Sequence, residues 1–244
     1  MSDYRSQARP VPSSQADMAV DAGLRSFMLG VYNKMGLGLL LSGVLAWVVG
    51  TTPVLFNTLL TPPIAYAVMF GPLAILLITA FTMKNPSPTG ANVVYWSVVT
   101  LIGIGLGGIV FAYGRIPDGM TTVAKAFLIT SATFGALSLW GYTTKRDLTG
   151  MGTFLFMAVI GLIIASVVNM FLQSSMMSYL ISVAGVVIFA GLTAYDTQRL
   201  KFMYYDLQGN ARGMAVATTQ GALALYLDFI NLFLFILRLL SPRN

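Results

Sequence analysis

The 244-residue chain is 57% hydrophobic and only 9% charged, against about 25% charged residues in an ordinary soluble domain; with a mean hydropathy of +0.79 it has too little polar surface to cover a soluble core. It has no cysteine and no histidine, which excludes disulfides, thiolate chemistry, most zinc sites and the usual imidazole pH switch. The net charge of +6 is spread thinly through short loops, a pattern that orients a membrane protein rather than one that grips nucleic acid.

Residues 1–24 are polar, with Pro, Ser and Gln. They lack an apolar run long enough for a signal peptide and read as a short, poorly ordered tail. Seven apolar runs follow, at about 31–51, 62–83, 92–113, 122–143, 152–172, 177–199 and 216–240. Each suffices for the roughly 20 residues that a transmembrane helix needs. Turn chemistry separates them: TTP at 51–53, KNPSPTG at 84–90, GRIPDG at 114–119, TKRDLTG at 144–150 and LQSS at 172–175. The segment from Leu200 to Gly213 reads as the longest loop. The expected architecture is an all-α integral membrane protein, with residues 1–24 as a cytoplasmic tail and 25–244 as a seven-helix domain.

Lysine and arginine set the orientation. With the N-terminus cytoplasmic, the inner segments hold ten: Arg5, Arg9, Arg25, Lys34, Lys84, Lys145, Arg146, Arg199, Lys201 and Arg212. The outer segments hold four: Arg115, Lys125, Arg238 and Arg243. The bias puts the N-terminus inside and the C-terminus outside.

Small residues recur within the spans, among them Gly36, Gly38, Ser42 and Gly43, then Gly103 and Gly107, then Ser131, Gly135 and Ser138, then Gly185, Ala190 and Ala194. They let helix backbones approach closely in lipid. The stretch GIGLGG at 103–108 matches a dinucleotide-binding fingerprint by letter, but that motif needs a preceding strand and a soluble βαβ unit. Inside an apolar span it reads as helix packing. No Walker A sequence or H-E-x-x-H occurs, and a Ser–His pair is ruled out.

The eight acids are all aspartate, and two of them fall inside spans. An acid at the membrane centre costs about 2.5–3.5 kcal/mol on insertion scales, so such residues usually face a bundle interior or a wet cavity. Asp196 lies late in the sixth span and Asp228 about midway along the seventh. The two helices run antiparallel, which brings the acids toward each other. Ala224, Asp228, Asn231 and Phe235 share one face of the last span. Thr193 and Thr197 flank Asp196 and are placed as hydrogen-bond partners for it. The bland alternatives are an interfacial Asp196 paired with Arg199 and a structural, satisfied Asp228. Two carboxylates in one low-dielectric site do not both ionise readily, so the pair would titrate as a unit and hold one shared proton. Their oxygens are hard ligands of the calcium-preferring kind, but two carboxylates fall short of the six to eight oxygens of a tight site. A weak site in a permeation path fits better than a storage site.

AYDTQRLK in the sixth span and YLDFINLF in the seventh resemble the signature of the Bax-inhibitor-one family, the transmembrane Bax inhibitor motif family. RSFMLGVYNKMGLGLLLSG at 25–43 resembles its first helix, and the stretch 134–171 is similar to its bacterial branch. The resemblance covers about residues 25–240 and implies seven helices, the last surrounded by the other six. It implies a pH-sensitive, passive calcium-leak channel in which Asp196 and Asp228 share hydrogen bonds and latch the pore. It also places a basic residue at the end of the second helix; here that is Lys84, the expected ion-pair partner of Asp196. In a bacterium the location would be the cell inner membrane.

On this reading the partners are the bilayer and calcium ions, with calcium as permeant ion and no cofactor, no nucleic acid and no enzymatic activity. Two other readings compete. A non-catalytic regulator of a membrane protease or of a stress or cell-death response is compatible with a leak. An aspartyl intramembrane protease would also use two aspartates on adjoining spans, and Tyr195-Asp196 reproduces its Tyr-Asp pair. Leu227 precedes Asp228, however, where those enzymes carry Gly-x-Gly, and their Pro-Ala-Leu element is absent.

Overall fold

The computed structural model describes residues 13–83 and 85–241, and all its regular structure is helical. Eight helices run in order: α1 (Ser13–Thr51), α2 (Pro53–Leu59), α3 (Ile64–Thr82), α4 (Pro88–Tyr113), α5 (Gly119–Thr143), α6 (Thr149–Leu172), α7 (Ser175–Asp206) and α8 (Ala211–Leu240). All but α2 are long and apolar enough to cross a membrane. Large apolar side chains such as Phe81 and Phe171, 80% and 79% exposed, face outward over the bundle. In water they would form an aggregating surface; in a bilayer they meet hydrocarbon.

The span boundaries follow local chemistry. Pro88 occupies the first turn of α4, where its missing N–H costs nothing, and Ser87 caps the helix by accepting from Gly90 N at 3.0 Å. Ser174 caps α7 through Met177 N, and Asn210 caps α8 through Gly213 N at 2.8 Å. Each cap satisfies a backbone donor that the first turn leaves without a partner. In the connection before α6, Asp147 accepts from the hydroxyl and then the amide of Thr149. Those two bonds hold its carboxyl below the usual carboxylate range.

Three expectations change. The tail expected over 1–24 is helical from Ser13 onward; residues 1–12 lie outside the described residues. Its alanines, Met18 and Leu24 are good helix formers, and Leu24, Phe27 and Met28 are buried, so the first helix starts well before its apolar run. The long loop expected over 200–213 shrinks to a turn at 207–210, because α7 continues to Asp206 and α8 begins at Ala211. The short helix α2 was not expected; Pro53 starts it, and Phe56 stacks on Phe111 with ring centroids 3.7 Å apart.

The last helix is the most buried of the seven spans. It packs on α1, α4, α5 and α7, while α3 packs on α2 and α4, and α6 on α7. The ring of six around α8 is therefore four direct neighbours. The outer pair, α3 and α6, is held off α8 by a crevice.

Close backbone approach fixes the inner packing. A Cβ on Gly103 would lie 2.7 Å from Ser42 Cα, and one on Gly107 would lie 2.8 Å from the side chain of Val49. The GIGLGG stretch is thus helix and seats α4 on α1, as its place in an apolar span led one to expect.

Candidate functional site

Asp196 on α7 and Asp228 on α8 are brought side by side, their carboxyl groups within hydrogen-bonding reach. Both are buried, at 7% and 5% exposure. One oxygen of each, Oδ1 of Asp196 and Oδ2 of Asp228, has no hydrogen-bond partner among the described residues. Unpartnered buried oxygens are costly, so one on each of two neighbouring helices marks this pair as the candidate site.

The neighbourhood of Asp196 is held at Ala194, Tyr195, Thr197 and Gln198. A Cβ on Gly141 of α5 would collide with the carbonyl of Ala194, and one on Gly152 of α6 with the ring of Tyr195; only glycine lets those helices approach α7 so closely. Thr197 Oγ1 lies 3.0 Å from Ser138 Oγ of α5. Gln198 accepts from Leu148 N at 2.8 Å and donates to Arg146 O at 2.7 Å, tying α7 to the connection between α5 and α6.

The threonines flanking Asp196 do not serve it. Thr193 donates to the carbonyl of Phe189 and Thr197 to that of Thr193, each at 2.8 Å. A threonine inside a helix commonly turns back to the carbonyl four residues earlier. Arg199 does approach Asp196, with Nη1 3.9 Å from Oδ1. That is too long for a hydrogen bond but is an ion-pair distance across one turn of α7, so the Arg199 partner of the bland reading is present, on an Asp196 that is itself buried. Lys84, the expected partner, lies outside the described residues.

The pair opens on a crevice of about 1030 Å³ lined by α3, α4, α6, α7 and α8. Ala224, Asp228, Asn231 and Phe235, placed on one helical face by their spacing, all line it. The walls are otherwise mostly apolar, and Asp196, Asp228 and Arg199 supply the charged side chains. Among the described residues no third carboxylate joins the pair, so the donor set stays at two acids.

A second polar cluster was missed in the sequence. Lys34 of α1 reaches between α4 and α8. Its ammonium donates to Asn92 Oδ1 and, at 2.7 Å, to Thr219 Oγ1, and lies 5.8 Å from the centre of the Tyr95 ring. Tyr95 in turn donates to Lys34 O at 2.7 Å. The signal was available, since a lysine within VYNKMGLGLL is a charge inside a span. Read from the sequence alone, it serves as an orienting charge. Gln198 was likewise overlooked, because nothing in AYDTQRLK announces which backbone its amide will meet.

Residues 24–244 match the profile of a family described as inhibitor of apoptosis-promoting Bax1. A protein of Caulobacter vibrioides is 50% identical, covering 97% of each chain. A protein of Rickettsia prowazekii is 40% identical over the whole of both. The inner membrane protein YbhL of Escherichia coli K12 is 37% identical over 96% of this chain and 98% of its own. The protein is a multi-pass integral membrane protein, similar to one of a bacterial inner membrane.

Proposed function

The chain belongs to the Bax inhibitor family, and we propose that it is a pH-sensitive, passive calcium leak gated by Asp196 and Asp228. The observation that carries this reading is the pairing of two buried carboxylates, each with an unpartnered oxygen, in the wall of one crevice. With one shared proton the acids attract each other. The pair then carries one negative charge, which Arg199 balances, so the three groups together are neutral. Loss of the second proton leaves two anions in a low-dielectric wall, and they repel. The sign follows: protonation closes the path, and flux rises as pH rises. Calcium is cargo on this reading. Two carboxylates bind it weakly and release it, and the large concentration difference across a membrane drives it. Lys84 is the proposed basic partner that re-pairs when the latch opens. The chemistry is conduction rather than catalysis, since Leu227 stands where an aspartyl intramembrane protease needs its glycine.

The test is calcium flux into dye-loaded proteoliposomes between about pH 6 and about pH 8. Wild type should pass more calcium at the higher pH. Asp196→Asn/Asp228→Asn should lose that dependence, because two amides carry no titrating proton. No flux at any pH from folded wild-type protein would overturn the leak. A pH response unchanged in the double variant would overturn the latch.

A further inference from the structure

We propose that the crevice beside the acid pair is a lipid site: one acyl chain of an anionic phospholipid enters between α3 and α6, and its phosphate rests on Arg199. Both helices line the crevice, yet their backbones stay apart, with no Cα pair within 8 Å among the described residues. The opening between them therefore faces the bilayer sideways. Its walls include Val68 and Leu73 of α3, Leu162 of α6, and Leu227 and Leu234 of α8. Away from Asp196, Asp228, Asn231 and Arg199, water would find few partners along such walls, and an empty space would forfeit the dispersion contacts of its lining. Hydrocarbon is the solvent at hand, and about 1030 Å³ is at the upper end of the roughly 300–1,000 Å³ of ordinary ligand sites.

Charge selects the headgroup. Arg199 lines the crevice seven residues from the end of α7, or about 10 Å along the helix at 1.5 Å per residue. Its side chain is 53% exposed and its contact with Asp196 is 3.9 Å long, so the planar donors are free to take a phosphate bidentately. The long stem lies along apolar surface while the head reaches the headgroup layer. The consequence for gating rests on the acid-pair reading: a phosphate on Arg199 draws the cation away from Asp196, and the chain keeps the crevice dry.

The test uses the full chain in phosphatidylcholine vesicles carrying either phosphatidylglycerol or phosphatidylethanolamine with a diazirine near the tail end. After irradiation, adducts are mapped by mass spectrometry. Adducts should fall on α8 around Leu227 and Leu234, although α8 is the central helix. The yield from phosphatidylglycerol should be several-fold higher, and Arg199→Gln should erase that difference. Gly105 also lines the crevice, and a Cβ there would meet only Val68 Cγ1 at 3.7 Å. Gly105→Leu should therefore fit and lower α8 adducts, while those at the outward, mid-span Phe70 and Ile160 stay unchanged and report a folded protein. Adducts confined to outward faces, or equal α8 yields from both lipids in wild type, would overturn the site. Because no calcium enters this readout, a protein with α8 adducts but no flux keeps the lipid site and loses the leak; flux without α8 adducts does the reverse.

Discussion

Gln198 uses both ends of its amide on the backbone between α5 and α6, at Leu148 N and Arg146 O, and it is itself buried. Gln198→Ala removes a donor and an acceptor together and leaves two backbone groups without partners. The expected loss is about 1–3 kcal/mol, read as a lower unfolding midpoint in detergent and as freer motion of the connection that begins at Thr144. An unchanged midpoint would mean that water replaces the amide at no cost. The acids themselves were legible from residue type alone, because a carboxylate in an apolar span needs a reason to be there. The role of Gln198 was not legible, since a glutamine near a helix end is ordinary until its partners are known. The same holds for Thr193 and Thr197, whose proximity to Asp196 along the chain suggested bonds that the helix geometry directs elsewhere.

At the scale of elements, the glycines sort by what faces them. Gly141 sits against the Ala194 carbonyl of α7, whereas Gly135, on the same helix α5, has nothing within 4 Å of a Cβ. Gly141→Ala must push α5 away from α7 or shift Ala194, two residues from Asp196. Gly135→Ala fills open space and gains up to about 1 kcal/mol of helix propensity. The expected pair of outcomes is a destabilised protein with an altered pH response for the first, and equal or higher stability with wild-type flux for the second. Thermal unfolding and the proteoliposome assay read both, and equal stability of the two variants would count against a close contact at Gly141. All seven spans could be seen in the sequence because each is a run of about 20 apolar residues. Their ends were not, since the extensions at 13–24 and 200–206 are polar enough to look like tail and loop while still being helical. The crevice was invisible for a different reason: it lies where the backbones of α3 and α6 stay apart, and no local pattern encodes such a separation.

For the whole molecule, orientation decides which leaflet and which compartment the site addresses. Helix alternation puts the connections at 144–148 and 207–210 on the end that holds the start of α1, and the turn at 114–118 on the opposite end. Among the described residues seven basic side chains, Arg25, Lys34, Lys145, Arg146, Arg199, Lys201 and Arg212, belong to the first side and three, Arg115, Lys125 and Arg238, to the other, and the positive-inside bias assigns the first to the cytoplasm. The chain has no cysteine, so a single introduced thiol reports its side without background. Gln208 is exposed in the inner turn and Ile116 is 47% exposed in the outer one. In intact cells, Ile116→Cys should react with a membrane-impermeant maleimide, and Gln208→Cys should react only after permeabilisation. The reverse result would invert the bundle. Arg199 would then meet the outer leaflet, and the acid pair would lie nearer the outer compartment, sensing its pH. The expected pattern instead places both on the cytoplasmic side, where, on the proposed reading, a fall in pH would close a path gated by Asp196 and Asp228.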